Sequence, residues 1–118
     1  MKKGYISGKI TGLHPYRCDR NFKKAVEQAR EWAEKEYYRT YKIGTMIHAF
    51  TERFEIINPL NIRPLFGIKK WPFHMIADLR ELRKCDVIFV QDNWEDSKGA
   101  FIEVFLAKFV WKIKVVKL

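Results

Sequence analysis

The chain has 118 residues, enough for one hydrophobic core and too few for two, so residues 1–118 read as a single domain. Hydrophobic residues at 47% and aromatics at 15% exclude a disordered chain. A formal charge of +9, from 23 Lys and Arg against 14 Asp and Glu, suits an anionic partner: a nucleotide, a phosphate, a nucleic acid or an acidic protein surface.

In chain order, the opening MKKGYISGKITG has lysines but no long apolar run, so it does not read as a secretory signal. Tyr5-Ile6 predicts a short strand, cut off by Ser7-Gly8 and then by Gly12 and Pro15. Asn21 is placed to cap a helix carrying Phe22, Val26, Ala29 and Ala33 at helical spacing and running to about Tyr38. Residues 39 to 53 fit a prolonged helix, an extra strand or a lid. Phe54 to Ile57 predicts a second strand, stopped by Asn58-Pro59, and the NPLNIRPLFGIKK stretch predicts a loop.

Pro72 suits the first turn of a helix whose buried stripe is Met75, Ile76, Leu79 and Leu82. Val87 to Val90 is wholly apolar, as in a parallel strand covered on both faces. The DNWEDSKG loop leads into an apolar helix from Ala100 to Phe109, too short and too interrupted by charge to span a bilayer. Ile113 to Leu118 closes the chain as a strand near a sheet edge. Strands alternating with helices imply an α/β fold with a small, mostly parallel sheet of four or five strands and right-handed crossovers. Ligands of such sheets bind beyond the carboxyl ends of the strands. Here those ends are Ser7-Gly8-Lys9, Asn58-Pro59 and Gln91 to Ser97, which would converge on one cleft.

In the first loop, Tyr5, Ser7, Gly8, Lys9 and Gly12 stand where a backbone can approach an anion, although the GxGxxG fingerprint is absent and a plain tight turn reads equally well. Ser97 and Gly99 begin the last helix, whose free N–H groups favour a phosphate there; Ser97 or Asp96 as a simple cap is the other reading. Glu103 sits within Phe101, Ile102, Val104 and Phe105, where an unpaired buried carboxylate would be strongly disfavoured. It is either a charge kept at the mouth of the cleft for nucleophilic or electrostatic work, or the solvent-facing residue of the helix. Asp78, Asp92 and Asp96 could divide acid and base roles with it. His14, His48 and His74 lack metal-ligand spacing and read as polar or aromatic-packing residues; Cys18 and Cys85 lack CxxC spacing and read as reduced thiols of a cytoplasmic protein. With no GxSxG string either, neither a zinc site nor a serine hydrolase is expected.

YISGKITG, MIADLREL, CDVIFV and WEDSKGAFIEVFLA together resemble an uncharacterised, often phage-associated family of small α/β proteins. That family is similar to the nucleoside 2-deoxyribosyltransferases and the 2'-deoxynucleoside 5'-phosphate N-hydrolases. The resemblance implies a three-layer, flavodoxin- or Rossmann-like domain that cleaves or transfers an N-glycosidic bond without cofactor or metal. Glu103 then resembles the glutamate nucleophile, Asp78 the aspartate that serves the leaving base, and Tyr5 the tyrosine supporting the nucleophile. Asp96 lies near the transferases' second aspartate. Ser97 matches the serine gripping the 5'-phosphate, and Gly8 and Gly12 look like parts of the phosphate-side loop. In place of the glycine of a GxExG-like string, Val104 and Phe105 follow the glutamate. A silent nucleotide-binding or sensing protein is the second reading, and a basic nucleic-acid-binding protein the third and last. Exposed sheet edges and the apolar last helix predict a homodimer, and nothing predicts a membrane partner.

Overall fold

The computed structural model describes the backbone of residues 2–43, 46–51 and 54–118, and the side chains of residues 2–36 and 54–118. Strands β1 (Lys2–Ser7), β4 (Phe54–Ile57), β5 (Val87–Val90) and β6 (Lys114–Lys117) form one parallel sheet in the order β4-β1-β5-β6. Helix α1 (Pro15–Tyr37) covers one face; α2 (Trp71–Leu82) and α3 (Lys98–Phe105) cover the other, a three-layer α/β fold. Strands β2 (Tyr38–Ile43) and β3 (Met46–Thr51) pair antiparallel as a separate two-stranded sheet. Residues 39 to 53 are therefore strand rather than prolonged helix where they are described, and positions 44, 45, 52 and 53 lie outside the described residues.

Alternation along β1 sorts its side chains. Tyr5 joins Ile88, Val90, Leu82 and Val104 under α2 and α3, while Ile6 joins Val87, Phe89, Phe22, Ala25 and Ala29 under α1. All of β5 is buried, as its apolar run requires of a strand with neighbours on both sides. On the α1 side, Trp32, Phe54 and Phe89 meet edge to face with centroids 5.3 to 6.5 Å apart. Gly4 lies where a side chain would collide with Phe89 and Phe54. Strand β6 is an edge strand, and exposed Lys114 and Lys117 mark it as such.

Three expectations need correction. Helix α1 starts at Pro15, not after Asn21, because the fixed φ of proline suits a first turn and His14 Nδ1 accepts from the Tyr16 N–H at 3.2 Å. Asn21 is half-buried within the helix. Ile76 is 44% exposed: once Met75 and Leu82 face the sheet, the 3.6-residue period turns Ile76 outward. The last helix buries one side only. Ala100, Glu103, Val104 and Ala107 face the sheet, Phe101, Phe105 and Phe109 are more than half exposed, and a π-helical turn over Leu106–Val110 replaces the regular helix end. Among the described residues, no helix is long and apolar enough to cross a membrane.

Candidate functional site

The strand register brings Ser7, Ile57, Val90 and Lys117 to the same end of the sheet. A cavity of about 230 Å³ opens there, between α2 and α3. Its α3 wall is Ser97, Gly99, Ala100 and Glu103, and its α2 wall is Trp71, His74, Met75 and Asp78. The loops after β1 and β4 close it with Gly8, Ile10 and Thr11 on one side and Pro59, Leu60 and Ile62 on the other.

Glu103 is 5% exposed, so the solvent-facing alternative is excluded. Its Oε1 accepts a hydrogen bond from Ser7 Oγ at 3.1 Å, and Ser7 is itself fully buried. Glu103 Oε2 and Tyr5 Oη are buried without a hydrogen bond of full geometry, yet they are near enough to influence each other. Burial drives the Glu103 carboxyl up to about 8; the Tyr5 hydroxyl opposes that rise, the Asp78 charge adds to it, and Ser7 opposes it. Burial raises Asp78 to about 7. Tyr5 is raised well above the ordinary phenol range by burial first and then by Glu103 and Asp78. The site thus holds two carboxyl groups that titrate near neutrality and feel each other, which is the equipment of a general acid and its partner base or nucleophile.

The other candidates divide. Gly8, Asp78, Ser97, Gly99 and Glu103 line the cavity, with Tyr5 and Ser7 packed behind Glu103. Ser97 Oγ also accepts from the Ala100 N–H at 3.2 Å, so the residue caps α3 while lining the cavity. Asp96 is exposed on the 3-10 turn Trp94–Asp96 and is not part of the lining. Lys9 uses its N–H to bind Asn93 Oδ1 at 3.1 Å, tying the β1 loop to the β5 loop. Gly12, at φ 87°, is an exposed turn residue. Asn58 Oδ1 accepts from the Leu60 N–H at 3.0 Å, and the residue borders a neighbouring groove of about 640 Å³ lined also by Arg63, Arg80 and Lys84.

Trp71 and His74 were not among the candidate site residues, although both share a helix face with Asp78. Counting back from Asp78 by one and two turns would have found them. Among the described residues, no three His, Cys, Asp or Glu side chains are grouped so as to hold a metal ion.

No curated protein and no solved structure is significantly similar to the chain. A family profile described as a domain of unknown function, DUF4406, matches residues 46–117. That stretch carries β3, β4, α2, β5, α3 and β6, and with them Asp78, Ser97, Gly99 and Glu103, while Tyr5 and Ser7 on β1 and Gly8 just after it precede the stretch. The chain belongs to this family.

Proposed function

We propose that this protein cleaves or transfers the N-glycosidic bond of a 5'-phosphorylated 2'-deoxynucleoside, with Glu103 as nucleophile. The observation that carries the reading is the buried Glu103 carboxyl at the cavity wall, one oxygen held by Ser7 and the other without a hydrogen-bond partner among the described residues. A carboxyl group in that setting is aimed and desolvated, which a structural role would not require.

In the forward step a Glu103 oxygen bonds to C1' as the C1'–N bond breaks through an oxocarbenium-like state. The electron pair leaves with the base, which takes a proton from Asp78. Water, or an N–H nitrogen of a second base, then attacks C1' and gives its proton to the Asp78 carboxylate, while the C1'–O ester bond breaks and its electron pair restores the Glu103 carboxylate. Ser7 and Tyr5 position the nucleophile. The N–H groups at the start of α3, with Ser97, would receive the 5'-phosphate, favoured by the helix dipole and by the net positive charge. The reaction draws on no metal or cofactor.

A second reading, a silent nucleotide-binding protein, is favoured by the burial of Glu103: desolvation pushes its carboxyl up to about 8, toward the neutral form, and a neutral acid is a poor nucleophile. Base release from a panel of 2'-deoxynucleosides and their 5'-monophosphates, followed by chromatography with Glu103→Gln beside the wild type, decides between them. Turnover lost in the variant supports the first reading; nucleotide binding without turnover supports the second. The buried, unpaired Cys18 and Cys85 fit a cytoplasmic setting. The exposed Phe101 and Phe105 of α3 and Phe109 of the π-helical turn after it are the surface on which we expect a homodimer to form.

A further inference from the structure

The chemistry proposed above uses the α2 wall only at Asp78. Trp71, His74 and Met75 complete that wall. Exposure increases along it, from half-buried Asp78 and His74 to Trp71, which at 42% exposed stands at the mouth. The indole is placed against α3 as well. Lys98 Nζ lies 5.4 Å from the centre of the Trp71 ring, and a Cβ on Gly99 would come within 3.9 Å of Trp71 Nε1. The Lys98 ammonium sits over one face of the ring, as the electron-rich face of an indole attracts a cation. The β1 and β4 loops add Ile10, Leu60 and Ile62, apolar side chains suited to the second face of a flat group. His74 adds to this wall ring nitrogens that can donate or accept a hydrogen bond, one turn from Asp78 on the same helix face.

We propose that Trp71 and His74 form the base-recognition wall of this cavity, Trp71 stacking on the heteroaromatic ring of a nucleotide and His74 hydrogen-bonding its edge. The inference rests on the cavity being a deoxynucleotide site. It assigns different duties to the two side chains. Stacking tolerates any base, so Trp71 sets affinity; an edge contact distinguishes bases, so His74 sets preference. Asp78, next along the same wall, is left to deliver the proton to the ring that these two hold.

The test is calorimetric titration of the four 2'-deoxynucleoside 5'-monophosphates and of 2-deoxyribose 5-phosphate, in a Glu103→Gln background so that ligands stay intact. Trp71→Ala is expected to weaken every nucleotide by about tenfold or more, with Trp71→Phe recovering part of the loss and the sugar phosphate unchanged. His74→Ala is expected to reorder the four nucleotides. Equal weakening of nucleotide and sugar phosphate, or no weakening, overturns the inference. Base release by the wild type that is lost in Glu103→Gln, with Trp71→Ala binding as the parent does, would leave the glycosidase reading standing without this wall. Neither binding nor release by the wild type would remove both.

Discussion

The two faces of the parallel sheet are built from the same strands and have opposite characters. Under α1, Ile6, Val87 and Phe89 meet Phe22, Ala25 and Ala29, and the buried cluster is apolar throughout. Under α2 and α3, Tyr5 and Ser7 come from the same strand as Ile6, and Glu103 is buried beside them. Period-two alternation in β1 thus places stability on one face and titratable groups on the other, within three consecutive residues. The face that carries the carboxyls should be the less stable one, because burying an ionisable group with incomplete hydrogen bonding is unfavourable. Both faces carry a buried apolar cluster, and the α1 face carries its own without a buried carboxyl.

The largest effect that would break this contrast is on catalysis. Glu103→Gln should reduce base release by about a thousandfold or more, as loss of a covalent nucleophile does. The same substitution should raise stability at alkaline pH. Phe89→Ala on the α1 face should do the reverse, lowering unfolding free energy by about 3–5 kcal/mol in a denaturant titration while leaving the pH limbs of activity in place. A Glu103→Gln variant that keeps its turnover, or a Phe89→Ala variant as stable as the wild type, would erase the distinction between the faces.

Next comes pH. Both carboxyls are raised in the folded state, Glu103 to about 8 and Asp78 to about 7, above their ordinary values of 4.5 and 3.8. The folded chain therefore holds protons that the unfolded chain releases. The stability linked to these groups is fully present below about pH 4, declines as pH rises through the folded values, and is level above about 8, at about 1.4 kcal/mol for each pH unit over which one proton is withheld. Thermal unfolding across that range should show the decline, and Glu103→Gln should remove its upper part. Catalysis needs the proton on Asp78 and the charge on Glu103, the reverse of the order of the two values, so only the minor form of the one-proton pair is active; kcat/KM should still be bell-shaped, with limbs near 7 and 8 belonging to the pair rather than to either residue. Ser7→Ala sharpens the point: it removes a bond that lowers the Glu103 pKa, so the upper limb should move further up, with a stability loss of about 1 kcal/mol.

How much of this was legible in the sequence depends on the kind of signal. The apolar run Val87 to Val90 and the Gly and Pro stops marked the main strands, since burial of a central parallel strand writes itself into consecutive residues. Glu103 stood out because a carboxylate within an apolar run needs a reason. Helix phase was harder: Ile76 and Met75 are equally apolar, and only the packing of α2 on the sheet decides which turns inward. The same uncertainty hid Trp71 and His74. Lys9, Asn58 and Asp96 were picked from loops at the right end of the sheet, but membership of a loop does not aim a side chain. Lys9 binds through its backbone, Asn58 caps a turn, and Asp96 faces solvent.

The smallest expected effect is that of Gly99→Ala, set beside Gly8, a glycine that looked alike in the sequence. Both line the cavity, and both were read as places where a backbone approaches a ligand. A Cβ on Gly8 would lie within 2.6 Å of Gln91 Cδ, a buried side chain that packs between the loops after β1 and β5. Gly8→Ala must displace Gln91 and should cost about 1–3 kcal/mol, the usual range for overpacking. A Cβ on Gly99 meets Met75 Sδ at 3.6 Å, an ordinary contact. Gly99→Ala should therefore change unfolding free energy by no more than about 0.5 kcal/mol, while the added methyl group stands in the cavity beside Trp71 Nε1. Denaturant midpoints of the two variants, set beside their affinity for a 2'-deoxynucleoside 5'-monophosphate, separate the roles. Gly8 is small so that the fold can close, and Gly99 is small so that the cavity stays open; equal midpoints for the two variants would refute that division.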